Sequence, residues 1–242
     1  ASTVVGTPLR TTPALAALAN GTFAHALDFD DVAHWVHPSC VLLPPLISLG
    51  EPLSASGREI LNAYVIGYRV GWAIAAGCHY VQGERGFHNT AIFGLMGSTA
   101  ACARLLRLDV RQTVMALGTA GSMAGGLFQN FGTATKGLHA GLTSQSAVTA
   151  CLLARDGWTG TENVLESRVG FLASYVGRDA YNLAAIREQL GRPLRPDWVA
   201  IKKYPCCGGI HNALDSLLAL LKENAIRFDQ IAECEIFHAN VV

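Results

Sequence analysis

Apolar positions recur at helical spacing along most of the chain, and polar ones collect in a few short stretches between them. Leu15, Leu18, Ala19 and Phe23 follow Thr12-Pro13 at a spacing that predicts a helix, with proline tolerated in its first turn. The Ala-rich continuation carries that helix past Asn20-Gly21. Pro38, Pro44 and Pro45 bracket the apolar run Val41-Leu42-Leu43. Ser56-Gly57-Arg58-Glu59 reads as a capping box, in which hydroxyl and carboxylate satisfy opposing amide donors. It opens a helix with Ile60, Leu61, Tyr64, Val65, Tyr68 and Trp72 on one broad face. Residues 77–87 are expected to form a loop.

A second helix over residues 90–106 is rich in Gly, Ser and Ala, which lets neighbours approach closely. Asp109 to Gln112 caps a third, carrying Val114, Leu117 and Met123, and a fourth is expected over 141–154. Residues 160–175 hold a short helical segment, and 181–190 an amphipathic one stopped by Gly191 and Pro193. Residues 198–202 suit a strand. Leu214, Leu217, Leu218 and Leu221 mark an amphipathic helix over 212–223. The alternation Glu233, Cys234, Glu235, Ile236 predicts a half-buried strand over 230–242. The pattern is mainly α, with the first strand of something else at its end.

Composition sharpens this picture. Half of the 242 residues are hydrophobic and 15% are charged, which predicts a sizeable core. Lysine plus arginine balance aspartate plus glutamate at zero, and no basic stripe appears, so no nucleic-acid partner is expected. The longest candidate membrane segment, residues 90–103, is too short to span, and the first residues lack the regions of a signal peptide. Seven cysteines lie scattered without a CxxC pair or secreted-type spacing, which predicts reduced thiols in a cytoplasmic protein.

Four polar stretches remain as candidate chemistry. Residues 25–39 hold His25, Asp28, Asp30, Asp31, His34 and His37. Carboxylates so close repel one another, which raises at least one pKa unless cations or amide donors are near. A group poised in this way can take or give protons near neutrality; the plainer reading is a solvated loop with a helix cap. His88 enters a Gly-rich helix, where free amides attract anions; alone it reads as a half-exposed helix-start histidine. Lys136 stands among small residues with His139 three positions on, a carboxylate anchor or a surface loop. Lys202, Lys203, Cys206, Cys207 and His211 would suit an anion pocket or a turn with an apolar thiol pair. His34 and His37 form only a loose HxxH, so no metal is expected. No GxGxxG, Walker loop or GxSxG occurs, so nucleotide-dependent and serine-hydrolase chemistry lack support.

Taken in order, these segments resemble the MmgE/PrpD family, which includes 2-methylcitrate dehydratase, cis-aconitate decarboxylase and iminodisuccinate epimerase. The resemblance rests on residues 17–31, His37-Pro38-Ser39, Gly86-Phe87-His88, Lys136 with Leu138-His139-Ala140-Gly141, and Tyr204-Pro205-Cys206-Cys207 with His211. It implies a large all-helical domain over residues 1–195 and the beginning of a smaller α+β domain over 196–242. It also implies an internal piece of a longer chain, a homodimer, and no metal or organic cofactor. By the same resemblance the catalytic positions fall on Asp28, His37, His88 and Lys136, and substrate contacts on Lys136, His88, His139, Cys206 and His211. Asp30, Asp31 and His34 are left as supporting or surface groups. The implied substrates are small di- or tricarboxylates, and the leading reaction is dehydration of a 2-methylcitrate-like hydroxy-tricarboxylate. An epimerase, a decarboxylase and an inactive helical scaffold are the alternatives. Val32 stands where the decarboxylases have Thr, Cys206 where they have His, and Asn89 where Pro is usual. The first two point away from cis-aconitate decarboxylation.

Overall fold

The computed structural model describes residues 1–33, 36–78, 85–193 and 199–237. His34, Trp198, the middle of the expected 77–87 loop and the tail from 238 lie outside them. Among the described residues the chain forms nine α-helices and two short antiparallel strand pairs.

Thr12 caps α1 (Pro13–His25) by accepting from the Leu15 amide, with Pro13 at the first turn. The helix runs unbroken through Asn20 and Gly21, because Gly21 is where α6 (Ala134–Arg155) crosses it. A β-carbon on Gly21 would lie 2.8 Å from Ser144 Oγ and 2.9 Å from the Ala140 carbonyl, and one on Gly141 would strike Thr22 Oγ1. Glycine is tolerated inside these helices since the backbones need the space.

Helix α2 (Pro38–Leu53) contains Pro44, Pro45 and Pro52, so those prolines do not bound the apolar run but lie within its helix. Each interior proline removes the N–H that would bond the carbonyl four residues back. Two of the orphaned carbonyls find hydroxyls from elsewhere: Ser98 Oγ donates to Val41 O at 2.7 Å, and Ser2 Oγ donates to Ser48 O at 2.6 Å. Tertiary partners thus restore what proline removes.

The capping box of Ser56 and Glu59 opens α3 (Gly57–Ala76), and the amide and hydroxyl of Ser56 help draw the Glu59 carboxyl down to about 2. The buried face of α3 keeps Ile60, Tyr64, Tyr68 and Trp72 of the expected one against the core but departs from it in part. Leu61 and Val65 are exposed, while Ala63, Gly67, Gly71 and Ile74 pack inward. Small residues win because α4 (Asn89–Leu105) approaches too closely for larger ones: a β-carbon on Gly67 would sit 2.7 Å from the Gly97 carbonyl. Asp109 and Gln112 form a second capping box at α5 (Val110–Gly121), which ends before Met123.

Helix α6 begins at Ala134, seven residues before the expected start, because Thr133 caps it and glycines 137 and 141 serve the α1 contact. Lys136 and His139 are therefore helical rather than in a loop. α7 (Phe171–Tyr175), α8 (Leu183–Gly191) and α9 (His211–Glu223) follow. The core lies between α2, α4 and α6, around Leu42, Leu46, Ile92, Phe93, Met96 and Val148. Fully burying one such side chain contributes about 1.5–3 kcal/mol.

β1 (Ser2–Thr3) pairs with β2 (Arg10–Thr11), and β3 (Val32–Ala33) with β4 (Val199–Ala200). Residues 231–237 form no strand, contrary to their alternation, since a strand requires a ladder partner and none of the described residues supplies one. No described helix is long and apolar enough to cross a membrane.

Candidate active site

Helix α1 ends at His25, and the chain then turns through Asp28, whose φ of 49° is left-handed. Aspartate tolerates this region better than most residues. The turn places the Asp28 carboxylate beside two lysines distant in sequence. Lys136 Nζ donates to Asp28 Oδ2 at 2.6 Å, and Lys202 Nζ to Asp28 Oδ1 at 2.5 Å and to the Asp28 carbonyl at 2.7 Å. Lys136 stands in the first turn of α6, where the helix dipole disfavours a cation, so a carboxylate there offsets the dipole as well. Lys202 arrives two residues after β4, whose pairing with β3 carries residues near 200 back to the acidic stretch. Burial raises the Asp28 carboxyl, and the bonds from Lys136 and Lys202 outweigh it, leaving it below its ordinary value.

His37 sits at the N-cap of α2, its amide donating to Thr90 Oγ1 at 3.2 Å. Its Nε2 lies 3.7 Å from Asp28 Oδ1, and its Nδ1 lies 3.1 Å from the Asp31 carbonyl and 3.2 Å from Asp30 Oδ2. Asp30 also meets the buried His25, at 2.9 Å from Nδ1. Burial raises Asp30, but His25 and His37 together hold it well below the usual carboxylate range. Burial lowers His25, against the pull of Asp30. The Asp31 carboxylate turns instead to α2, which it caps by accepting from the Ser39 amide at 3.0 Å and the Ser39 hydroxyl at 2.8 Å. Burial raises Asp31 despite these bonds.

His88 occupies the N-cap position of α4, its amide donating to the Gly126 carbonyl at 3.0 Å. Its ring stacks 5.9 Å from His25 and packs edge-on to Phe131, over which the Lys136 ammonium sits at 4.9 Å. Burial, then the charges of His25 and His139, push His88 down to about 2, so it is neutral at physiological pH. His139 lies behind His88, Nδ1 to Nδ1 at 3.1 Å, and backs that ring.

The structure therefore brings Asp28, His37, His88 and Lys136 into one polar cluster, with His139 supporting it. Cys206 is half-buried and His211 opens α9 against the Tyr204 ring at 5.3 Å. Among the described residues no hydrogen bond or ion pair joins either to the cluster. The sequence places Lys202 and His25 within candidate polar stretches but does not single them out, since nothing there separates Lys202 from Lys203 and His25 is marked only by its place five residues before Asp30.

His25, Asp28, Asp30 and His37 offer ligand atoms within 4.8 Å of one another. A metal ion there would have to displace Lys136 and Lys202 from Asp28, whereas His25 Nε2 and Asp30 Oδ2 have no hydrogen-bond partner. The two ammoniums oppose a cation at Asp28.

The helical architecture accords with the family that known proteins point to. Residues 1–184 match the family model of the MmgE/PrpD N-terminal domain. A cis-aconitate decarboxylase-like protein of Aspergillus oryzae is 31% identical over 242 residues, covering 93% of this chain and 50% of that protein. Cis-aconitate decarboxylase of Homo sapiens is 33% identical over 231 residues, covering 91% of this chain and 47% of that protein. That of Aspergillus terreus is 26% identical over 228 residues, covering 88% and 46%. The chain belongs to the MmgE/PrpD family. It spans about half the length of the curated relatives it matches.

Proposed function

We propose that the protein is a cofactor-independent lyase acting on a small tricarboxylate, in the first place a dehydratase of a 2-methylcitrate-like hydroxy-tricarboxylate. The observation that carries this reading is the convergence of Lys136, Lys202 and His37 on one carboxylate, Asp28. Two ammoniums able to exchange Asp28 for a substrate carboxylate supply the anchor. Dehydration then needs a proton removed beside a carboxylate and another delivered to the departing hydroxyl, which Asp28 and His37 are placed to share. The enediolate-like charge that develops would lie against the lysine ammoniums, where electrostatic stabilisation is strongest. Neutral His88 adds a hydrogen-bonding group rather than a charge.

The names of the relatives favour a second reading, decarboxylation of cis-aconitate, in which a proton is delivered to carbon as CO2 leaves. Val32 and Cys206, at positions polar in such enzymes by resemblance, favour dehydration. A homodimer and a cytoplasmic setting belong to the same reading; seven free cysteines support the latter.

The test is to give the purified protein, as a full chain, 2-methylcitrate and cis-aconitate separately. Ultraviolet absorbance of a new conjugated double bond from 2-methylcitrate supports the dehydratase. Released CO2 with loss of absorbance from cis-aconitate replaces it by the decarboxylase. Exchange of a carbon-bound proton with solvent deuterium, without either product, identifies an epimerase, and no change on any carboxylate leaves a helical scaffold.

A further inference from the structure

We propose that Asp30 is a positioning residue that, together with the Asp31 carbonyl, holds His37 as its Nδ1–H tautomer, making Nε2 the proton-accepting atom of the site. This role rests on the proposed site of Asp28 and His37, but it concerns a property of the protein without substrate.

His37 Nδ1 faces two oxygens, the Asp31 carbonyl at 3.1 Å and Asp30 Oδ2 at 3.2 Å. A bare lone pair turned toward a carbonyl and a carboxylate would be repelled by both, so Nδ1 carries the proton. The Asp31 carbonyl takes the better-directed hydrogen bond and Asp30 adds the charge. A neutral imidazole holds a single N–H, which leaves the lone pair on Nε2. That atom lies 3.7 Å from Asp28 Oδ1, on the side where Lys136 and Lys202 meet the same carboxylate.

Asp30 is itself held from behind. His25 Nδ1 lies 2.9 Å from Asp30 Oδ1, and the His25 side chain is fully buried. His25 Nε2 has no partner, so the one proton of the neutral ring belongs on Nδ1, where an acceptor waits. The His25 ring is wedged 4.6 Å from His37 and 5.9 Å from His88. With Oδ1 pinned by His25, Oδ2 is held 3.2 Å from His37 Nδ1 as a charge partner and makes no hydrogen bond of its own. When Nε2 takes a proton, the resulting imidazolium finds the Asp30 carboxylate already in place.

This geometry makes Asp30→Asn informative. His25 Nδ1–H needs an oxygen, so the amide oxygen stays on His25 and the amide NH2 faces His37 Nδ1. Donor then faces donor and the carboxylate charge is gone, so only the Asp31 carbonyl still favours Nδ1–H and part of the His37 population moves its proton to Nε2, the wrong tautomer for a base at that atom. Two-bond 15N–1H correlation spectra of 15N-histidine-labelled protein read the tautomer directly. Expected are Nδ1–H in the native protein and a raised share of Nε2–H in Asp30→Asn. On the substrate that the turnover assays identify, kcat should fall by about two to four orders of magnitude with KM changed less than about threefold. A purely structural role would lower the amount of folded enzyme without moving the tautomer. The proposal is overturned if native His37 carries its proton on Nε2, an outcome that needs no variant to fold. It is equally overturned if Asp30→Asn keeps both the Nδ1–H form and full kcat. If the tautomer switches and no carboxylate is turned over, the functional reading fails and the positioning role stands.

Discussion

Lys202 and Lys203 are neighbours in the chain and each pairs with an aspartate, yet they live in different electrostatic worlds. The Lys202 side chain is 1% exposed and shares Asp28 with Lys136, whereas Lys203 is 65% exposed beside Asp215, itself 46% exposed. Asp28 ties Lys202 to Lys136 and to the imidazole of His37, at the starts of two helices. Around Lys203 are Tyr204 and the solvated start of α9. Water screens a surface pair to a value near 0–1 kcal/mol, while removing one partner of a buried pair leaves an uncompensated charge. The same two residue types thus build a polar site in one place and a solvated ion pair in the other, and the difference can be attacked experimentally.

The largest effect is expected from Asp28→Ala, which leaves the Lys136 and Lys202 ammoniums side by side without a counter-charge. Urea unfolding should show a loss of about 3–5 kcal/mol. Asp28→Asn, which tolerates the positive φ better, should recover about 1 kcal/mol of it. Asp215→Ala in the exposed region should leave the urea midpoint nearly unchanged; equal losses at the two aspartates would erase the contrast.

Next comes turnover. Losing a charged anchor worth about 2–3 kcal/mol should make Lys202→Met lower kcat/KM about a hundredfold. Lys203→Met should stay within about twofold of the native value, and steady-state kinetics on the identified substrate compares them. Parity between the two variants would remove Lys202 from the site.

A third contrast is in pH. His25, His88 and His139 are all lowered, in each case first by burial. Below the ordinary value of 6.5 the unfolded chain protonates these rings while the folded chain resists, His88 down to about 2. The stability they contribute is therefore complete above pH 6.5 and is lost as pH falls, by up to about 1.4 kcal/mol per pH unit for each ring. Denaturant midpoints between pH 7 and pH 5 should drop accordingly, and His88→Gln should flatten the slope by about one proton. An unchanged slope in that variant would mean that His88 is charged in the folded protein.

The smallest effect belongs to Lys203→Ala, expected to leave the urea midpoint nearly unchanged, and all the more so at high salt. A larger loss would show that the region after residue 202 is held more tightly than its exposure indicates.

Helices and their starts were legible because their causes are local. Thr12-Pro13, Ser56 with Glu59, and Asp109 with Gln112 act within one turn, and each begins a helix where its pattern places it. The misreadings have distant causes. Pro45 looks like a helix breaker until Ser98 supplies the missing donor, as Ser2 also does before Pro52. The apolar stripe of α3 promised burial of Leu61, but the close approach of α4 selected the glycine face. The segment from Ala134 reads as a loop because its glycines suit a helix only when another helix crosses them.

The sequence by itself determined the family, the helical class, the unusual density of carboxylates and imidazoles between His25 and His37, and the presence of Lys136 and His88, all carried by residue identity and order. Only the tertiary structure decided which of these groups meet. It chose Lys202 over Lys203, set His139 behind His88, gave Asp31 to a helix cap and Asp30 to two imidazoles. The reason is physical: helix propensity is read within a few residues, whereas the field at Asp28 is the sum of charges from positions 136 and 202, and only folding brings them within a hydrogen bond of it.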